Sequence, residues 1–263
     1  MVLDGPVSRQ LPTESDEARS LDQELLAPKP GSAEWWTQRD ATDAKRRPRS
    51  GGLTTARIIE AALEILRDGG LEALTVRALA ERFETSNASL YRHFASRDEL
   101  IALIGDHVMG EVRLDRTGRG WRADVEALMS EMRRVILSQP LPSSAARRMS
   151  AYGPNMLRVL DAALGPFLEA GLSDDEAART TISLINFVAG SADIDRSDAG
   201  RGPRGDTGSA GFDLLLDRLP PDRFEALRTA GNAYTAAAAD EVFAHGLAIF
   251  LDGVTSQLAA TGR

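Results

Sequence analysis

Thr75-Val-Arg-Ala-Leu-Ala-Glu-Arg-Phe83, then Glu84-Thr85, then Ser86-Asn-Ala-Ser-Leu-Tyr-Arg-His-Phe94 and Ala95-Ser96-Arg97 form the stretch that decides the fold. Val76, Leu79, Ala80 and Phe83 recur at i, i+3, i+4 and i+7, the spacing of one buried helix face. Ser86 stands after a two-residue turn, where its hydroxyl accepts from an N–H at the start of a second helix. That second helix is expected to run for about two turns. Its outward positions carry Asn87, Ser89, Arg92 and His93, with no acid among them. A short polar helix held by an apolar one is the pattern of a helix-turn-helix, whose second helix enters the major groove of DNA.

Working outward, the pattern becomes specific. Ser86-x-x-Ser-Leu-Tyr-Arg-His-Phe-x-Ser-Arg-Asp-Glu-Leu100, with Ile58 to Leu66 and Gly70-Leu-Glu-Ala-Leu-Thr-Val-Arg-Ala-Leu-Ala80 before it, resembles the TetR (tetracycline-repressor) family. The resemblance covers Thr54 to about His107. One residue departs: the turn usually carries Gly where this chain has Glu84. A left-handed Glu84 costs about 1–2 kcal/mol. The resemblance implies an all-α chain, with an N-terminal helix-turn-helix DNA-binding domain and a C-terminal helical bundle for ligand binding and dimerisation. It places base-edge contacts at Arg77 and Asn87 and phosphate contacts at Ser89, Tyr91, His93 and Arg97, with Ala88 also on the DNA side. The chemistry agrees, since Arg forks onto guanine and Asn pairs with adenine. Hydroxyl and imidazole donors on phosphates fix register without reading sequence. The alternatives are a surface charge for Arg77, a packing role for Tyr91 and a cap for His93.

A net charge of −8 looks wrong for a DNA binder until its distribution is examined. Residues 1–44 carry four basic and nine acidic side chains, residues 45–113 eleven and ten, and residues 114–263 sixteen and twenty. The least acidic part is therefore the one with the helix-turn-helix. Its basic cluster, Lys45, Arg46, Arg47 and Arg49, reads as a minor-groove arm or a solvated linker. Apolar content of 43% supports a packed core, and the 5% of aromatics makes that core mostly aliphatic. There is no Cys, so disulfides, thiolate metal sites and Cys nucleophiles are excluded. No uninterrupted apolar run reaches the roughly 18–20 residues of a membrane span, and the composition fits a cytoplasmic protein.

Along the chain, residues 1–44 lack periodicity and read as a disordered acidic extension. Trp35-Trp36 stands out there, as a hydrophobic anchor onto the domain or as a partner contact. Residues 45–53 form the basic arm, 54–100 the DNA-binding domain and 101–263 the ligand-binding and dimerisation domain. Within these, a helix is expected over 54–68, stopped by Gly69-Gly70. Ser96-x-x-Glu99 is a capping box that opens a helix to about Arg113, the natural lever between the two halves. Further helices are expected over 121–138, 143–151, 154–171, 173–192 and 239–260, with a mobile loop over 193–211 and a broken helical piece over 212–231. The segments 174–192 and 239–260 are apolar over broad arcs and suit a homodimer interface. In the family resembled, the corresponding pair forms a four-helix bundle with its copy.

Sites for catalysis are lacking. His93, His107 and His245 lie on separate helices, and neither a metal-ligand spacing nor a phosphate loop occurs. No enzyme activity, metal or cofactor is expected. Met109, Met132 and Met156 lie on helices around the bundle centre, where Met suits a varied apolar ligand or simply fills core. Ser150, Asn186 and Phe187 join them as candidate ligand contacts; a buried Asn186 requires a partner. Arg147 is a candidate for an anionic group or a surface residue. The sequence thus points to a repressor that binds a palindromic DNA operator as a homodimer and is released by a small apolar or amphipathic effector. A DNA-binding activator or architectural protein without a ligand is the alternative.

Overall fold

The computed structural model describes residues 28–43, 53–140, 153–199, 208–220, 223–260 and 262. Among them every regular element is a helix: α1 Ala33–Asp43, α2 Thr55–Ala73, α3 Val76–Arg82, α4 Asn87–Leu90, α5 Arg97–Met109, α6 Trp121–Ser138, α7 Pro154–Glu169, α8 Asp174–Ala199, α9 Gly208–Asp217, α10 Glu225–Ala236 and α11 Ala239–Ala260. Lys45, Arg46, Arg47, Arg49, Arg147, Ser150 and the helix expected over 143–151 lie outside the described residues.

The helices around the helix-turn-helix, α2, α3 and α4, start on side-chain caps. The Thr54 hydroxyl accepts from the Arg57 N–H, Thr75 from Ala78 and Ser86 from Ser89. Helical geometry in α2 breaks at Gly70, whose φ of 68° a side chain rarely adopts. Its Ile58, Ile59, Ala62, Leu63 and Leu66 are buried, and the helix packs on α3 and α5. The turn after α3 is a Schellman motif. Glu84 N–H donates to the Glu81 carbonyl and Thr85 N–H to the Ala80 carbonyl, at 3.2 and 2.9 Å. Glu84 holds the left-handed position at φ 48°. The second helix of the motif is one turn, shorter than expected, and is rooted by the fully buried Leu90 and by Phe94.

Two expectations from the sequence are corrected. Residues 33–43, read as part of a disordered extension, form a helix. Its Trp35 and Trp36 join the hydrophobic core, which is long-range packing that local periodicity does not show. The polar run after Ala192, read as a loop, continues α8 to Ala199. Arg133 on α6 bonds Asp195, and Arg196 donates to the Ile136 and Gln139 carbonyls, so these polar residues line a helix face paired with α6.

α5 is buried almost all round, through Leu100, Ile101, Ala102, Leu103, Ile104, Gly105, Asp106 and Val108. A helix with that profile is a central strut. It packs on α2 at one end and on α6 and α7 at the other. α8 packs on α6, α7 and α11, which completes the bundle.

Candidate functional site

The helix-turn-helix offers one exposed polar face. Asn87 and Ala88 are exposed at the start of α4, and Ser89 is half-buried. Ser89 Oγ accepts from Arg92 Nη2 at 2.7 Å. Tyr91 is 51% exposed, with its ring 6.4 Å from that of Phe94. Arg77 on α3 is also exposed and bonds Glu81 one turn on at 2.8 Å. Both sides of that pair are solvated, so it contributes little to stability. His93 is half-buried at the end of this face. Arg97, read in the sequence as a phosphate contact, is exposed and also holds the backbone beside this face. Its Nε and Nη2 donate to the Leu74 and Leu71 carbonyls, at 3.1 and 2.6 Å, and close the end of α2 onto the start of α5.

The far end of α5 is locked to the bundle. Asp106, only 4% exposed, accepts from Asn155 N–H at 3.1 Å, Asn155 Nδ2 at 3.1 Å and Met156 N–H at 3.0 Å. One helix thereby supplies the N-terminal cap of another, since Gly153 brings no side chain to α7. A Cβ on Gly153 would lie 2.1 Å from Asp106 Oδ1, so only Gly permits this approach. Burial pushes the Asp106 carboxyl above its ordinary range, against the pull of those donors and of His107. Just beyond the strut, Arg113 forks onto Glu131 of α6 at 2.8 and 3.0 Å. Arg134 and Arg113 hold the Glu131 carboxyl well below the usual carboxylate range.

The candidate effector residues fall into three places. Met156 is half-buried beside Asp106, and the half-buried Met109 lies at the same end of α5. Met132 is buried on α6, and the half-buried Phe187 on α8 stacks on Phe243 of α11, with centroids 5.5 Å apart and planes at 10°. Asn186 is exposed on the outer face of α8, so the burial that would have required a partner there does not occur. Its neighbour Phe187 turns inward instead. The sequence reading missed Arg133, which is 8% exposed. It donates to Asp195 and Asp240, both at 2.7 Å, and lies 4.8 Å from the Phe243 ring centroid. Next to Arg134 it looked like any surface Arg, and only the rotation of α6 against α8 reveals its burial.

The outer faces of α8 and α11 are apolar and open. Ile182 and Ile249 are each 58% exposed, and only 28% of the most apolar stretch of α11 is buried. Between the two helices runs a groove of about 340 Å³, lined by residues that include Arg179, Ser183, Phe250 and Val254. None of the candidate effector residues lines it.

Comparison with known proteins meets this geometry at both halves. The family described as bacterial regulatory proteins, tetR family, matches residues 58–104, and the tetracyclin repressor-like C-terminal domain matches residues 114–258. The chain belongs to the TetR family. An HTH-type transcriptional regulator of Saccharopolyspora erythraea is 35% identical over 140 residues, which are 53% of this chain and 59% of that one. The HTH-type transcriptional repressor DrrR1 of Streptomyces coeruleorubidus is 32% identical over 155 residues, 57% of each chain. The alignment therefore spans less than two thirds of those two relatives. ActR of Streptomyces coelicolor, solved in complex with actinorhodin, superposes with a TM-score of 0.72 at 30% identity, over 79% of this chain and 99% of that one.

Proposed function

We propose that this TetR-family chain is a cytoplasmic repressor that binds a palindromic DNA operator as a homodimer and is released by a small apolar or amphipathic effector. The observation that carries the reading is α5. One end is closed onto α2 beside the exposed recognition face, the other is capped into the effector bundle through Asp106, and nearly every side chain between them is buried. A rigid strut of that kind transmits displacement, because packed interiors do not deform continuously. Arg77, Asn87 and Ala88 read bases, and Ser89, Tyr91 and His93 meet phosphates. Lys45, Arg46, Arg47 and Arg49 add charge to the backbone contact.

Two recognition helices reading one face of a palindrome sit about 34–36 Å apart or a multiple of that, which requires a two-fold dimer. The open faces of α8 and α11 supply it. Phe187 and Phe243, with Met132, offer the effector aromatic and thioether surface. Arg133 there is already neutralised by two carboxylates, which favours an uncharged or weakly polar ligand. The likeness to ActR, solved with actinorhodin, supports a small-molecule effector. The effector must bind the DNA-incompetent state more tightly. A coupling of about 1–3 kcal/mol lowers operator affinity roughly 5–150-fold.

The test is fluorescence anisotropy with the DNA upstream of the chain's own reading frame, followed by a thermal-shift screen of apolar compounds and titration of each hit against the complex. Binding to that DNA, and its loss with a stabilising hit, is expected. A hit that raises the melting temperature yet leaves operator affinity unchanged would separate the pocket from the switch.

A further inference from the structure

We propose that α1 is a splint across the joint between the recognition helix and the strut, and that Trp35, Arg39 and Glu99 are positioning residues for DNA binding. The joint is His93-Phe94-Ala95-Ser96, the few residues between the end of the recognition segment and α5. Arg39 Nη2 donates to the His93 carbonyl at 2.9 Å. Trp35 Nε1 donates to Glu99 Oε1 at 2.9 Å, and the other oxygen of that carboxylate accepts from Ala95 N–H at 2.7 Å. One helix therefore grips the joint on both sides. It begins on its own cap, Ser32 Oγ accepting from Trp35 N–H.

The grip is well anchored. Trp35 and Trp36 are 7% and 9% exposed and meet edge to face, with centroids 4.7 Å apart. The Arg39 guanidinium lies 5.4 Å from the Trp35 ring centroid, which stiffens the side chain that reaches His93. Two buried indoles contribute far more than an exposed one-turn helix such as α4 supplies for itself. The recognition helix has only Leu90 and Phe94 as deep anchors. The angle of Asn87 and Ser89 to DNA therefore depends on what holds its C-terminal end. Positioning a contact in advance raises affinity by lowering the ordering cost of binding.

The proposal rests on the DNA-binding reading above, and its test separates the two. Full-length Arg39→Gln and Trp35→Phe each remove one grip and leave the apolar anchor largely in place. Operator affinity is measured by anisotropy across a KCl series, and amide exchange at Ala95 is followed in the free protein. The expected result is a loss of about three- to tenfold at every salt concentration, the size of one hydrogen bond, with a salt slope parallel to the parent. Faster exchange at Ala95 accompanies it. A slope shallower by about 1 for Arg39→Gln would place Arg39 on a phosphate and overturn the splint. Unchanged affinity in both variants, or unchanged Ala95 exchange, would overturn it as well. Failure of the parent to bind DNA would sink the repressor reading, while Ala95 exchange would still decide whether α1 holds the joint.

Discussion

At Glu84 the chain keeps a side chain where the Schellman turn favours Gly. Relieving the left-handed strain gains about 1–2 kcal/mol, and the freer unfolded chain takes back about 0.4–1. Glu84→Gly is thus expected to stabilise the fold by roughly 0.5–1 kcal/mol, read from urea unfolding. A loss of stability would mean that the Glu84 side chain makes a favourable contact that the strain conceals. Arg97→Ala is expected to cost about 1 kcal/mol, since two carbonyls at the end of α2 lose a charged donor that is itself partly solvated. Urea midpoints equal to the parent would return Arg97 to a purely DNA-facing role. Asp106 makes a pH prediction. Its folded pKa is raised by burial. Its contribution is therefore fully present below the ordinary carboxylate range and is lost as pH rises through the raised value. Asp106→Asn is expected to flatten that part of the stability–pH curve. It also lowers stability throughout, because one amide oxygen replaces a carboxylate that serves three N–H donors. A curve parallel to the parent across this window would assign the titration elsewhere.

Among elements, α8 and α11 show why the choice of test residue matters. Leu247 is 3% exposed within a single chain, so a charge there unfolds the bundle and says nothing about assembly. Ile249 is 58% exposed on the same helix. Ile249→Glu is expected to leave the helical content unchanged and to shift sedimentation from dimer to monomer. Operator affinity then falls, because each chain holds a single recognition helix. A variant that stays dimeric with parental affinity would move the interface away from the α8–α11 face. At the other end, α1 changes how truncations are read. Removing residues 1–43 takes away Trp35 and Arg39 together, so loss of binding in such a protein does not measure the basic arm.

For the whole molecule, the proposed switch joins two regions through the buried α5. Phe187→Leu keeps apolar volume but removes the ring face stacked on Phe243. The variant is expected to bind operator like the parent and to require several-fold more effector for release, measured by titrating the preformed complex. Equal effector response would place the pocket away from Phe187. Net charge works at this scale too. The chain is acidic overall, but the described helix-turn-helix face carries Arg77, Arg92 and His93 with no acid on α4. In the proposed complex DNA meets this local field rather than the average one.

What the sequence determined by itself is the local grammar. Ser86, Ser96 and Ser173 cap helices where their spacing says they should, with Ser173 and Glu176 reciprocally bonded. The pattern from Thr75 to Arg97 specified the helix-turn-helix and its family, because caps, turns and apolar periodicity act over a few residues. Tertiary structure decided the rest. It put Asn186 outside and Phe187 inside, buried Arg133 between Asp195 and Asp240, and aimed Asp106 at the start of α7. It also docked Trp35 and Trp36 from a stretch with no periodicity of its own. In each case a polar or amphipathic side chain has several compatible environments. The rotation of its helix and partners distant in sequence select among them, and short-range spacing carries neither.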